Sequence, residues 1–149
     1  MAMSIDSVIQ MNTSGRQRID NLSNWIIREA HNGNREKTHI AVSAIRWFLE
    51  RYALDGDWDE TRTFTLNLSD YATLKCYGEL SEWRTDNTHD DYTMSIAVDQ
   101  SLRDFIATIM HEMIHIKQWE LDDWEDDGEE EAELLQYELT DEYWKSGRL

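Results

Sequence analysis

The feature that most constrains the fold is a long apolar stripe near the end of the chain. Residues 101–127 contain neither proline nor glycine, so nothing in this segment favours an interruption of a helix. Its apolar residues recur at three- and four-residue steps, the spacing of an amphipathic helix that buries one face. They are Leu102, Phe105, Ile106, Ile109, Met110, Met113 and Ile114. We therefore predict a helix that begins near Ser101.

Two histidines lie along the margin of this stripe, in the pentapeptide HEMIH formed by residues 111–115. Residues four apart stand one above the other on a helix, so His111 and His115 can offer two imidazole nitrogens to one cation. Zinc accepts neutral imidazole, and a catalytic zinc site keeps one position for water. Glu112 points beside such a cation and can take a proton from the water. The pattern predicts zinc held by both histidines, with Glu112 as general base.

A catalytic zinc site rarely consists of two histidines alone, so a third ligand is needed. The other histidines, His31, His39 and His89, all precede the motif. Carboxylates remain as candidates, because residues 120–131 hold nine acids in twelve positions. After Gly128, a second helical pattern begins, and its residues predicted to face inward are Ala132, Leu135, Leu139 and Tyr143. These observations leave the choice among the acidic residues open.

The HEMIH helix followed by a helix with the pattern Glu129-x-x-Ala132 resembles the gluzincin metallopeptidases. The closest resemblance is to small single-domain forms, such as the ImmA/IrrE-type and phage-encoded ones, and it covers mainly residues 101–140. It implies a zincin-like fold, a zinc cofactor, a peptide or protein substrate, and Glu129 as the third ligand. Three neighbours compete for that role, namely Glu130, Glu131 and Glu133. Glu133 has a second alternative role, since it could accept the distal N–H of a ligand histidine.

Helical spacing also appears twice in the first third of the chain. Residues 16–31 and 38–54 each carry apolar side chains at helical steps, and His31-Asn32-Gly33-Asn34 separates them as a stop signal. We therefore predict two N-terminal helices, or one broken helix. Trp25, Trp47 and Phe48 are expected in the core.

Between residues 62 and 100 the apolar pattern changes to the alternation expected of strands. Phe64 and Tyr92 each begin an alternating series, and residues 74–80 form a weaker third strand. The predicted fold class is therefore α+β and zincin-like: N-terminal helices, a small mostly antiparallel sheet, the HExxH helix and a C-terminal Glu-bearing helix. We expect one metallopeptidase domain over residues 1–149. The strand from Tyr92 to Asp99 leads into the HExxH helix, so we expect it to pair with an extended substrate.

Composition narrows the range of partners and locations. The formal net charge of −17 repels phosphate backbones and anionic membranes, which makes direct nucleic-acid binding unlikely. No apolar run approaches the roughly 20 residues that span a membrane, and no secretion signal is recognisable. The single cysteine, Cys76, suits a reducing compartment. We expect a cytoplasmic protein, in the host cell cytoplasm if it is phage-encoded.

The leading functional hypothesis is a zinc-dependent peptide-bond hydrolase that uses a metal-activated water, with Glu112 as general base. Such an enzyme also needs a donor for the tetrahedral oxyanion, and the sequence offers Tyr137, Tyr143, Arg103 and His89. One alternative is a catalytically silent binding module that keeps the zinc scaffold. Another is an acidic inhibitor that mimics DNA and carries HExxH by chance.

Overall fold

The structure is a computed structural model that describes residues 10–11, 17–22, 25–29, 35–54, 62–84, 90–123 and 126–148. The helices in these ranges are α1 Arg35–Arg51, α2 Tyr71–Leu74, α3 Leu102–Leu121 and α4 Glu129–Lys145. The strands are β1 Gln10–Met11, β2 Gln17–Leu22, β3 Trp25–Glu29, β4 Arg62–Ser69, β5 Gly78–Arg84 and β6 Asp90–Ala97. The α+β class is confirmed, and no helix in these ranges is long and apolar enough to cross a membrane.

The strands form one sheet in the order β1-β2-β3-β4-β6-β5. The pairs β3·β4 and β4·β6 are parallel, whereas the other pairs are antiparallel. The prediction of a mostly antiparallel sheet is therefore corrected to a mixed sheet. The reason is the path of the chain. After β4 the chain crosses to the outer edge of the sheet and forms β5, and β6 then lies between β4 and β5. This path makes the two most clearly alternating strands run in the same direction.

The same topology overturns the prediction for the substrate-pairing strand. In the segment Tyr92–Asp99, β6 pairs with β4 on one side and with β5 on the other. Its backbone hydrogen-bonding groups therefore have no free edge to offer a peptide. The sheet ends at β5, so the strand beside α3 with an outer edge is β5.

The predicted helix over residues 16–31 is also wrong, because β2 and β3 occupy this segment and pair as antiparallel strands. Short apolar runs such as Trp25-Ile26-Ile27 fit a helix or a buried strand equally well by periodicity. The pairing of β3 with β4, with Ile27 opposite Phe64 among other positions, favours the strand. Trp25 lies in β3, but its side chain lies outside the described part of the structure, so its place in the core stays a prediction.

The predicted helix over residues 38–54 is confirmed as α1, and its apolar face meets the sheet and α3 in one core. Trp47 and Phe48 of α1 belong to this core, and each of its residues is more than nine-tenths buried. The core residues contributed by α1 and the sheet also include Val42, Ile45, Phe64, Leu66, Tyr92, Met94 and Ile96. The core residues contributed by α3 include Phe105, Ile109, Met110, Met113 and Ile114. Burial of this apolar surface is the main stabilising contribution to the fold.

The third predicted strand, over residues 74–80, is shifted in the structure. Leu74 ends the short helix α2, and β5 begins at Gly78. A β-carbon at Gly78 would overlap the side chain of Thr108 on α3. Glycine therefore allows the edge strand to run close to α3, next to the HEMIH motif.

The ends of α3 and α4 have local causes in the sequence. Ser101 caps α3, where its hydroxyl accepts a hydrogen bond from the backbone N–H of Asp104 at 3.2 Å, and the predicted start of the helix near Ser101 is confirmed. Gly128 precedes α4 with a φ of +80°, a conformation that favours glycine. The Asp127 carboxylate accepts from the backbone N–H of Glu129 at 3.0 Å. The turn thereby sets the first residue of α4 against α3.

Candidate metal centre

The first turn of α4 brings Glu129 to both histidines of the HEMIH motif. Its Oε2 lies 3.1 Å from Nε2 of His111, and its Oε1 lies 2.7 Å from Nε2 of His115. One ligating atom from each of the three residues lies within 4.8 Å of the others. In the described ranges, this is the group of His, Cys, Asp or Glu side chains that could hold a metal ion. The structure therefore assembles the three residues that the sequence proposed as ligands.

The donor set and its spacing suit zinc. Ligand atoms about 2.0 to 2.1 Å from a tetrahedral zinc ion lie roughly 3.3 Å from each other. The two nitrogen–oxygen distances of 2.7 and 3.1 Å lie below this separation, and the 4.8 Å that bounds the distances among the three ligand atoms lies above it, so the side chains would have to adjust around the ion. Two imidazoles and one carboxylate are also a donor set that catalytic zinc sites use. The residues present therefore fit the ion that the sequence predicted.

Two glutamines hold the far nitrogens of these histidines. Nδ1 of His111 lies 2.7 Å from Oε1 of Gln136, and Nδ1 of His115 lies 2.9 Å from Oε1 of Gln118. An amide oxygen only accepts, so each Nδ1 carries the proton and donates. Each Nε2 faces the Glu129 carboxylate, so it is the nitrogen that would bind a metal ion held between these residues. The glutamines thus orient both rings with Nε2 towards the candidate metal position.

The alternative role predicted for Glu133 is wrong, because the two glutamines occupy the positions beside the histidines. That glutamate is exposed on α4, whereas the glutamines accept the distal N–H groups of the histidines. Gln118 follows His115 by three residues on α3, and that spacing could have identified it from the sequence. Gln136 lies 25 residues from His111, and no sequence pattern marks it.

The neighbouring glutamates are engaged elsewhere or exposed. Glu131 accepts from Lys117 Nζ at 3.1 Å through Oε2 and from Gln118 Nε2 at 2.8 Å through Oε1. Burial by itself raises the pKa of Glu131, but these hydrogen bonds outweigh it and hold the pKa below its usual value. Glu130 is exposed. Among the candidate glutamates, Glu129 is the one whose carboxylate contacts the histidines.

Glu112 lies beside this group in a desolvated position. Its side chain belongs to α3, and the residue is only 6% exposed. Burial raises the pKa of the carboxyl group, and the nearby His111 and His115 act in the opposite direction. A carboxylate whose pKa is raised towards neutrality is a stronger base. The position and the environment of Glu112 therefore suit proton transfer.

Two recesses open on either side of the candidate metal centre, and Glu112 and Glu129 line both. The first recess, of about 330 Å³, is lined by Tyr77, Gly78, Thr108, His111, Glu112, Glu129 and Gln136. The second recess, of about 320 Å³, is lined by Glu79, Leu80, Glu112, His115, Trp119, Asp127 and Glu129. Both recesses are lined by residues of β5, α3 and α4, so a ligand at the centre would lie between the strand and the two helices.

Three of the four predicted oxyanion donors are engaged in other contacts. Tyr137 donates to Asp104 at 2.8 Å, and the Arg103 guanidinium lies over the Tyr137 ring and pairs with Asp141. Tyr143 is fully buried and donates to the Ser43 hydroxyl at 2.8 Å.

The fourth predicted donor, His89, lies outside the described residues, as does His31, while His39 is exposed on α1. The structure instead places Tyr77 in the lining of the first recess, a residue that the sequence analysis did not select. Tyr77 precedes Gly78 at the start of β5, and its place beside α3 depends on the strand crossing, which no local pattern encodes.

Comparisons with known proteins find no matching family model, no matching curated protein and no matching solved structure. The chemistry of this chain therefore has to be inferred from the residues of the site itself.

Proposed function

We propose that this protein is a zinc-dependent peptide-bond hydrolase with a zincin-like active site. The observation that carries the proposal is the convergence of His111, His115 and Glu129 beside the buried Glu112. Three protein ligands leave a position for water, which is the arrangement of catalytic rather than structural zinc sites. The recesses on both sides leave room for the two halves of a substrate.

Zinc, when bound, would polarise the scissile carbonyl and lower the pKa of the attacking water. The chain supplies the remaining steps. Glu112 accepts the proton of the water as it attacks and then donates it to the leaving amine, which requires a single carboxylate in two protonation states. Tyr77, in the first recess, is the candidate that would donate a hydrogen bond to the oxyanion. His111 and His115 would act only as ligands.

The edge strand β5 is the element we propose for binding an extended peptide. Its outer edge lies at the border of the sheet, where backbone groups can pair with an added strand. Glu79 on β5 and Asp127 line the second recess in addition to the centre's own carboxylates. Their negative charges favour a substrate with a basic side chain on this side.

The test compares wild type with Glu112→Gln on a mixed peptide library, with Glu133→Gln as a matched control at an exposed position. Removal of a general base should lower the rate of cleavage by about 10²- to 10⁴-fold. Zinc content should stay at wild-type level, because Glu112 is not a ligand, and Glu133→Gln should cleave normally. Zinc binding without cleavage by any form would indicate a silent scaffold and refute the enzyme. Absence of zinc from wild type would refute the metal site.

A further inference from the structure

Gln118 is a buried side chain whose amide connects the two helices of the candidate metal centre. It has no solvent exposure. Its Oε1 accepts from His115 Nδ1 at 2.9 Å, and its Nε2 donates to the backbone oxygen of Gly128 at 3.0 Å and to Glu131 Oε1 at 2.8 Å. Each hydrogen on the amide nitrogen and the amide oxygen therefore has a partner.

These partners determine which way the amide points. The Gly128 carbonyl and the Glu131 carboxylate only accept hydrogen bonds, so they must face the Gln118 NH₂ group. The amide oxygen is then left for His115, whose Nδ1 must donate. The ring of His115 is thereby held with Nδ1 on the Gln118 amide and Nε2 on the side of Glu129. No equivalent pair of acceptors in the described contacts orients the amide of Gln136 at His111.

The same amide fixes the start of α4 relative to α3. The bond to the Gly128 oxygen anchors the residue that immediately precedes Glu129. The bond to Glu131, together with the Lys117 ammonium at 3.1 Å, engages both oxygens of that carboxylate. A β-carbon at Gly128 would overlap the Gln118 side chain, so glycine is needed for this close approach. Glu129 is thus presented to the histidines while Glu131 is kept away from them.

We propose that Gln118 is a positioning residue that orients His115 and selects Glu129, rather than Glu131, as the third ligand. The assignment of a ligand role to Glu129 rests on the proposed zinc function. The orientation of His115 does not, because it follows from contacts within the chain. A residue at position 118 without amide hydrogen bonds would leave His115 free to change tautomer and would release Glu131.

The first measurement uses the metal-free wild-type protein and long-range ¹H–¹⁵N NMR spectra of the histidine rings at a pH of about 8, where an ordinary imidazole is neutral. His115 is expected to show a protonated Nδ1, because Nδ1 faces the oxygen of the Gln118 amide. An unprotonated Nδ1 on His115 would overturn the proposal. This result does not depend on zinc or on cleavage, so it separates failure of Gln118's role from failure of the proposed function.

The second measurement is the zinc dissociation constant of Gln118→Met, obtained by chelator competition, with Gln100→Met as the matched control. Methionine keeps the length of the side chain without its hydrogen bonds, and Gln100 bonds to Tyr77, Ala97 and Thr108, none of which is a proposed ligand. Gln118→Met should weaken zinc binding about 10- to 100-fold and give His115 a mixture of tautomers. Wild-type affinity in Gln118→Met would overturn the proposal. If this variant does not fold, the wild-type spectrum decides.

Discussion

The two histidines of the motif lie in different surroundings, although they are one helical turn apart. The His115 side is closed: its side chain is 11% exposed, and it is held by a fully buried glutamine with three partners. The His111 side is more open, with 19% exposure and a glutamine that lines the first recess. The comparison suggests that the contacts on the closed side set the geometry of the centre, whereas the open side tolerates more change.

The largest expected effect comes from the buried apolar face of α3, the helix that carries both histidines. Ile109 is fully buried on α3, so Ile109→Ala should lower the free energy of unfolding by about 2 to 5 kcal/mol. Leu134→Ala on α4 is the control, because Leu134 is 71% exposed and should change stability by less than about 0.5 kcal/mol. Urea denaturation measures both. Equal effects of the two substitutions would mean that α3 does not pack as described.

The turn before α4 gives the next largest effect. Gly128→Ala combines a positive φ with an overlap against Gln118, and should lower stability by about 1 to 3 kcal/mol and weaken zinc binding. Gly147→Ala shares the positive φ but meets no atom within 4 Å. It should lower stability by about 1 kcal/mol and leave zinc binding unchanged. Wild-type zinc affinity in Gly128→Ala would contradict the link between this turn and the centre.

Substitutions on the open side should weaken zinc binding less than substitutions on the closed side. Gln136→Met removes the acceptor for His111 Nδ1 and should weaken zinc binding about tenfold, at the low end of the range for such contacts. Its effect should be smaller than that of Gln118→Met, because Gln136 is only partly buried. Isothermal titration with zinc compares the two variants. A larger loss in Gln136→Met would reverse the assignment of closed and open sides.

The smallest effect concerns pH and Glu131. Its pKa is lower in the folded protein than its usual value of 4.5, so the ionised form stabilises the fold above that value. This contribution is lost as the pH falls through the lower, folded pKa. Since the side chain is 34% exposed, Glu131→Gln should lower stability by only about 1 kcal/mol at neutral pH.

The free-energy difference between wild type and Glu131→Gln should disappear in acid. Unfolding curves from pH 7 to about pH 3 measure it, and Glu130→Gln at an exposed position should show no such dependence. A difference that grows in acid would contradict the hydrogen bonding described for Glu131.

Local sequence patterns predicted the helices that bury one face in the core or carry the HEMIH motif. The stripe from Leu102 to Ile114 predicted α3 with a start near Ser101, and the break at Gly128 predicted α4. The contact of Glu129 with both histidines also agrees with the ligand set that the family resemblance implied. These features depend on helical spacing and on short connections, which the sequence displays directly.

Features that depend on distant pairing could not be predicted in the same way. The N-terminal segment 17–29 has helical spacing but forms strands, because β3 pairs with β4. The position of β6 between β4 and β5 arises from a crossover, so the outer edge beside α3 belongs to β5 rather than to residues 92–99. Gln136 and Tyr77 join the site only through these tertiary contacts. Alternation within a strand indicates its buried face but does not reveal its neighbours.

The central claim is that His111, His115 and Glu129 bind one zinc ion. The most direct measurement is a crystal structure of the zinc-loaded protein, with metal analysis of the same sample. We predict one zinc per chain, with Nε2 of both histidines and a Glu129 oxygen about 2.0 to 2.2 Å from the ion. Coordination by Glu131 or Glu133 in place of Glu129, or a protein that binds no zinc, would contradict the account.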